Sequence, residues 1–217
     1  MNFNTFINPR YRAFDFNLTQ EILSEKFTLK DFPNGKTLAL WVGARGSGKS
    51  TLIANLYEYG TIDLPYLDSS MFAKKKFSHL KDASQAMLWA NQAVNTVCET
   101  LIKGGKSFCL ETSFDDCSAL DIVKDAKKHG YRFVFFYVET SDAQLNKKRL
   151  KAREMQGGEV AQEEEIEKSV ASIRENVIKL IEHCDVMYMF DNSKELTQTN
   201  ERLESIEKEK MGGNLWL

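Results

Sequence analysis

The chain has 217 residues, 42% hydrophobic and 28% charged, with a formal net charge of −2. That length accommodates one sizeable core rather than two full enzyme domains, and the near-neutral balance excludes a global pull toward nucleic acid or anionic lipid. Four cysteines, Cys98, Cys109, Cys117 and Cys184, lack CxxC spacing or any paired pattern and read as buried thiols of a reducing compartment; with no 18-residue apolar run and no signal-like stretch in MNFNTFINPRYRAFDF, the expected location is cytoplasmic and away from membranes.

Residues 1–36 mix apolar and charged residues and end in the turn signal Pro33-Asn34-Gly35, which predicts a lead-in packed on a single domain spanning 37–217. TLALWV (37–42) is a continuous apolar run, the pattern of a strand buried on both faces. Beyond a glycine-rich segment, Leu52, Ile53, Leu56 and Tyr57 recur at helical spacing. TIDLPYL (61–67) predicts a second strand; if it runs on, Asp68 and Ser70 share one face. Residues 84–103 predict a long helix with Met87, Leu88, Ala90, Val94, Val97 and Leu101 toward the core, closed by Gly104-Gly105. SFCLE (107–111) is a third strand, 116–129 a helix closed at Gly130, and YRFVFFYVE (131–139) a fourth strand. A basic helix begins near Asp142 and ends before Gly157-Gly158. A longer one, 163–183, carries Ile166, Val170, Ile173, Val177 and Leu180 on one stripe. DVMYMF (185–190) is a fifth strand and 194–210 a polar helix. Strands separated by crossover helices give an α/β fold with a five-stranded, mainly parallel sheet.

WVGARGSGKST joins the first strand to the first helix. Gly43, Gly48, Lys49 and Ser50 satisfy G-x-x-x-x-G-K-[ST], in which glycines let backbone N–H groups converge on phosphate oxygens, the lysine reaches the β- and γ-phosphates, and the serine hydroxyl coordinates Mg²⁺. The helix N-terminus favours the same anion. The spacing does not fit the dinucleotide pattern G-x-G-x-x-G. The segment Gly43, Ala44, Arg45, Gly46, Ser47, Gly48, Lys49, Ser50 and Thr51 is therefore a phosphate loop for ATP, with Ser50 on Mg²⁺, and the fold is expected to be a nucleotide-kinase-like P-loop NTPase.

Downstream, SFCLETSF, KKHGYRFVFFYVET, KKRLKAREMQGGE, IRENV and FDNS follow one another in an order and at spacings that resemble the zeta toxin family of P-loop kinases, over roughly residues 38–193. The resemblance implies transfer of the ATP γ-phosphate to UDP-N-acetylglucosamine or a related nucleotide sugar, and a small helical antitoxin as protein partner. It places Glu111 on the acceptor substrate, Arg149 and Arg153 as lid arginines, and Asp191, Asn192 and Ser193 near the adenine. Each position has a second reading. Glu111 could order metal-bound water or serve a structural ion pair. Arg149 and Arg153, four apart and so on one helix face, could clamp the transferred phosphoryl or belong to a solvated basic face with Lys147, Lys148 and Lys151. The Asp191 segment is also ordinary turn chemistry.

Two departures from the family's pattern stand out. Ser169 replaces an expected phosphate-contacting arginine, with Arg174 a candidate substitute further along the helix. Ser70 falls where the acceptor-deprotonating aspartate belongs, which leaves Asp68 as the candidate acceptor-side carboxylate, with Asp63 outside it. Lys49, Asp68, Glu111, Arg149 and Arg153 make up the expected catalytic set. Alternatives are a nucleoside, antibiotic or polynucleotide-end kinase, and a non-catalytic nucleotide-binding toxin acting through a partner. The dense basic clusters, Lys74–Lys76 and 147–151, do not amount to an aromatic-lined nucleic-acid channel.

Overall fold

β2 (Thr37–Val42) is buried at every position, as its unbroken apolar run requires of a strand covered on both faces. The computed structural model describes residues 11–15, 35–58, 64–113, 118–140, 143–155 and 163–193. Around β2 lie β1 (Tyr11–Asp15), β3 (Tyr66–Asp68), β4 (Phe108–Thr112), β5 (Arg132–Glu139) and β6 (Val186–Asp191). They form one sheet in the order β1-β6-β5-β2-β4-β3, with every pair parallel. The five expected strands are all present, and a sixth, from the lead-in, pairs with β6 at the edge.

The helices are α1 (Lys49–Glu58), α2 (Ser69–Lys76), α3 (Ala83–Lys103), α4 (Ser118–Lys128), α5 (Ala143–Glu154) and α6 (Glu163–Ile181). Side chains alternate across the strands, so the core falls into two layers. Leu38, Leu40, Val42, Phe108, Phe133 and Phe135 pack with residues of α3, α4 and α6. Trp41, Cys109, Val134, Phe136 and Val138 face the other way, onto Leu52, Ile53 and Leu56 of α1. In this second layer the Trp41 ring stacks on Phe136 with centroids 3.9 Å apart, and Phe136 on Tyr188 at 5.0 Å. The motif strand thus stands on a dry aromatic floor at the centre of the sheet.

One condition is not met and one expectation needs correction. The second strand does not continue past Asp68: α2 begins at Ser69, and the Asp68 side chain accepts the Ser70 N–H at 2.8 Å as its N-cap. Capping by Asp at this position is favourable, so Ser70 sits in the first helical turn rather than on a strand face. On α3 the buried stripe is Ala86, Ala90, Val94, Cys98 and Ile102, whereas Leu88 is half exposed. Small residues turned inward let α3 approach the sheet closely and rotate Leu88 out. Residues 59–63, including Asp63, and the segment 194–210 lie outside the described residues. Among the described residues no helix is long and apolar enough to cross a membrane.

Candidate active site

β2 hands over to the loop at Gly43, where no other residue fits: a Cβ there would sit 2.3 Å from the Val138 carbonyl oxygen and 2.9 Å from Ser47 Oγ. Gly46 and Gly48 hold φ of 79° and 95°, the left-handed region that glycine enters without penalty. Ala44 and Ser47 are buried in the turn, Arg45 is half-buried, and the Ser47 N–H closes the turn on Ala44 O at 3.0 Å. Thr51 is exposed on the first turn of α1.

Lys49 is buried, and its Nζ donates to Gly43 O at 2.6 Å while lying 3.8 Å from Glu111 Oε1. Glu111 is brought there by the sheet, as β4 runs beside β2 with Trp41 and Glu111 in register. Its carboxylate is held at both ends: Ser50 Oγ donates to Oε1 at 2.9 Å and the Tyr66 hydroxyl donates to Oε2. Burial, the Glu111 charge and that hydrogen bond all push the Tyr66 hydroxyl up, so it remains a donor. Asp68 is the register partner of Glu111 on β3. Burial first and the Glu111 charge second raise its carboxyl above the usual range, against the amides of Ser70 and Met71 and the charge of Lys49, which lower it. A carboxylate so raised is better matched to proton transfer near neutral pH.

These groups also suit a magnesium ion. Among the described residues no cluster of three or more His, Cys, Asp or Glu could hold a metal. Mg²⁺ in a phosphotransferase does not need one, since it keeps several waters and takes one or two protein oxygens plus substrate phosphates. Ser50 Oγ and Glu111 Oε1, already joined at 2.9 Å, supply hard oxygen donors of that kind.

The basic run on α5 divides three ways. Lys147 is buried and donates to Glu167 Oε1 of α6 at 2.7 Å. Lys148 and Lys151 face solvent. Arg149 reaches the loop, with Nη1 3.4 Å from Gly46 O and Nη2 2.9 Å from Asn192 O. It is not part of a solvated face. Arg153 lies one turn on, and its side chain, like that of Arg174, lies outside the described residues. Ser169 is buried on α6.

At the end of β6, Asp191 is turned inward and accepts from the Ser193 N–H at 2.9 Å and from the Ser193 hydroxyl, the local turn chemistry the segment suggested. Asn192 does something else: its Nδ2 donates to Ser47 O at 2.7 Å. Tyr66 escaped the sequence reading, although its place two residues before Asp68 on a strand put the two on one face. So did Asn146 of α5, fully buried, whose backbone oxygen would lie 2.8 Å from a Cβ at Gly46.

A parallel sheet with its phosphate loop after the central strand, a lysine in that loop and an acidic residue on the neighbouring strand define the P-loop kinase-like class of phosphotransferase. A family model described as an AAA domain (AAA_33) matches residues 38–175. The chain belongs to that family. Among curated proteins, none matches the sequence. Solved structures with a similar fold include a candidate kinase from Chloroflexus aurantiacus, at TM-score 0.55 and 14% identity over 83% of this chain and 99% of that one. The PezAT chromosomal toxin-antitoxin system of Streptococcus pneumoniae contains another, at TM-score 0.54 and 14% identity over 81% of this chain and 78% of that one. A third belongs to the Pnkp1/Rnl/Hen1 RNA repair complex, at TM-score 0.55 and 22% identity over 67% of this chain but 46% of that one. At these identities the likeness concerns the fold.

Proposed function

We propose that the chain is an ATP-dependent phosphotransferase of zeta-toxin type that moves the γ-phosphate to a hydroxyl of a nucleotide sugar, with a small helical protein as its partner. The convergence of Lys49, Ser50 and Tyr66 on Glu111, with Asp68 beside it, is the observation that supports this reading best. It sets a loop for the donor against two carboxylates that an incoming hydroxyl can meet. The resemblance across the downstream motifs supplies the acceptor class.

In this reading the Gly43–Thr51 segment binds the ATP phosphates, and Lys49 leaves the Gly43 carbonyl for the β- and γ-oxygens. Ser50 and Glu111 would hold Mg²⁺, which would supply positive charge against the phosphates. Asp68 accepts the proton of the acceptor hydroxyl, and Glu111 orients that acceptor from a position fixed by Tyr66. The resemblance assigns Arg153 of α5 to the transferred phosphoryl. A loose transition state makes positioning weigh more than early deprotonation.

A phosphotransfer screen with ATP and Mg²⁺ over nucleotide sugars, nucleosides, aminoglycosides and 5′-hydroxyl oligonucleotides, read by phosphorus NMR, tests the proposal. Phosphorylation of a nucleotide sugar is the expected result. Turnover confined to 5′-hydroxyl oligonucleotides would reassign the chain as a polynucleotide-end kinase. ATP binding without transfer to any acceptor would leave the non-catalytic partner-binding reading.

A further inference from the structure

Two carbonyls of the phosphate loop face outward, and each is held by a side chain from a distant part of the chain. Arg149 Nη1 donates to Gly46 O at 3.4 Å, while its Nη2 donates to Asn192 O at 2.9 Å and lies 3.3 Å from Asn192 Oδ1. Asn192 Nδ2 donates to Ser47 O at 2.7 Å. In a trans peptide the C=O of one residue and the N–H of the next point in opposite directions. Holding the Gly46 carbonyl outward therefore turns the Ser47 N–H inward, and that amide is indeed bonded back to Ala44 O at 3.0 Å. By the same rule the Ser47 carbonyl, held by Asn192, sends the Gly48 N–H to the side of the loop away from Asn192. That interior is where the N–H groups of this motif gather phosphate oxygens.

The clamp has a physical reason. Gly46 and Gly48, with φ of 79° and 95°, flank Ser47, and glycine enters either sign of φ with little penalty. The peptides on both sides of Ser47 can therefore rotate at small cost, and a flipped Ser47–Gly48 peptide would present the Ser47 carbonyl to an anion. Something outside the loop has to choose the orientation. Asn192 follows the last β6 residue and is tied to the sheet, its own N–H donating to Glu139 O at 2.9 Å. Arg149 fixes the side chain's other end from α5. The carboxamide is thus committed at both ends to the loop and to its own support, which leaves it poorly disposed to read a purine edge.

We propose that Asn192, oriented by Arg149, is a positioning residue that sets the direction of the Gly48 amide and thereby the phosphate affinity of the loop. The proposal rests on the nucleotide reading of Gly43–Thr51 and deepens it: the strand-end segment acts on the polyphosphate end of the nucleotide through the loop, rather than on the base.

The test measures binding of Mg²⁺·ATP, of inorganic tripolyphosphate and of adenosine to the full chain, by displacement of a fluorescent ATP analogue, for wild type, Asn192→Ala and Asn192→Leu. The leucine keeps the γ-branched shape at a somewhat larger volume and loses the donor and acceptor, so it carries the test if the alanine variant does not fold, and circular dichroism checks both. ATP and tripolyphosphate are expected to weaken by the same factor, roughly tenfold as for one well-placed hydrogen bond, with adenosine unchanged. Weakening of ATP and adenosine together, with tripolyphosphate unchanged, would assign Asn192 to the base and overturn the proposal, as would no change in any of the three. A wild-type chain that binds neither ATP nor tripolyphosphate removes the nucleotide reading itself, and this inference with it.

Discussion

Asp68 and Glu111 are register partners at the carboxyl ends of adjacent parallel strands, and after burial the Glu111 charge is the largest influence raising the Asp68 carboxyl. Two like charges at this spacing disfavour full ionisation of both. Glu111 is bonded by Ser50 and Tyr66 with Lys49 nearby, and Asp68 is the carboxyl that is raised. The site therefore pairs a carboxylate anchored to the phosphate loop with one poised for a proton.

If Asp68 takes the acceptor's proton, Asp68→Asn lowers phosphotransfer by roughly 10²-fold. Ser70→Ala changes it far less, because Ser70 meets Asp68 through its backbone N–H, which alanine retains. Initial rates on the acceptor found in the screen decide this. Full activity in Asp68→Asn would move the proton acceptor elsewhere.

The same substitution has an opposite effect on stability. A carboxyl raised in the folded state binds its proton more tightly there than in the unfolded chain. The wild-type protein therefore gains stability as pH falls through the folded value, reaching the full gain below the unfolded value, about 3.9. Asparagine mimics the protonated form and also caps helices well. Asp68→Asn is expected to melt at a higher temperature than wild type at pH 7, with the difference shrinking as pH falls and gone near pH 3.5. Thermal denaturation monitored by circular dichroism across that range reads it directly.

Lys49→Ala is expected to abolish turnover while preserving the fold. Its loss removes the bond to Gly43 O, yet Glu111 keeps its Ser50 and Tyr66 donors, so no buried carboxylate is stranded and the cost stays within about 1–2 kcal/mol. Titration calorimetry with a non-hydrolysable ATP analogue should show binding by wild type and weaker binding by the variant.

The two α5 arginines are expected to separate kinetically. Arg153→Ala, if its guanidinium meets the phosphoryl, lowers turnover by about 10²–10³-fold at nearly constant ATP affinity. Arg149→Ala acts earlier, because Arg149 holds the loop at Gly46 and supports Asn192, and it should weaken ATP binding itself. Turnover and dissociation constants measured on both variants distinguish the two effects, and unchanged values at Arg153 would return that residue to the solvated face.

The phosphate loop was legible because its chemistry is local: the glycines, lysine and serine must sit at fixed spacing whatever surrounds them. The sheet strands were legible because burial on both faces leaves an unbroken apolar run, as in β2 and β5. Glu111 was assigned to the site by the resemblance, and its place beside the loop comes from the pairing of β4 with β2. The start of α2 could not be seen, since SSMFAKKK has a single buried residue, Ala73, and so no apolar period to announce a helix. The inward face of α3 was misjudged at Leu88 because close packing selected alanines over the larger side chain. The contacts of Arg149 and Asn192 join residues 43 apart and then 145 apart, and nothing in either local stretch specifies them.

Cys109 lies on β4 two residues before Glu111, paired with Ala39 of β2, and its amide is bonded to Pro65 O at 2.8 Å. Burial pushes its thiol up to about 11, and that of Cys98 on α3 up to about 12. Since alkylating reagents attack the thiolate, both sulfurs are shielded while the chain is folded, and their modification clocks the opening of the segments that cover them. A nucleotide that binds the closed form alone slows that clock by mass action. Labelling at Cys109 thus reports ligand affinity beneath the phosphate loop with no acceptor present and no turnover required.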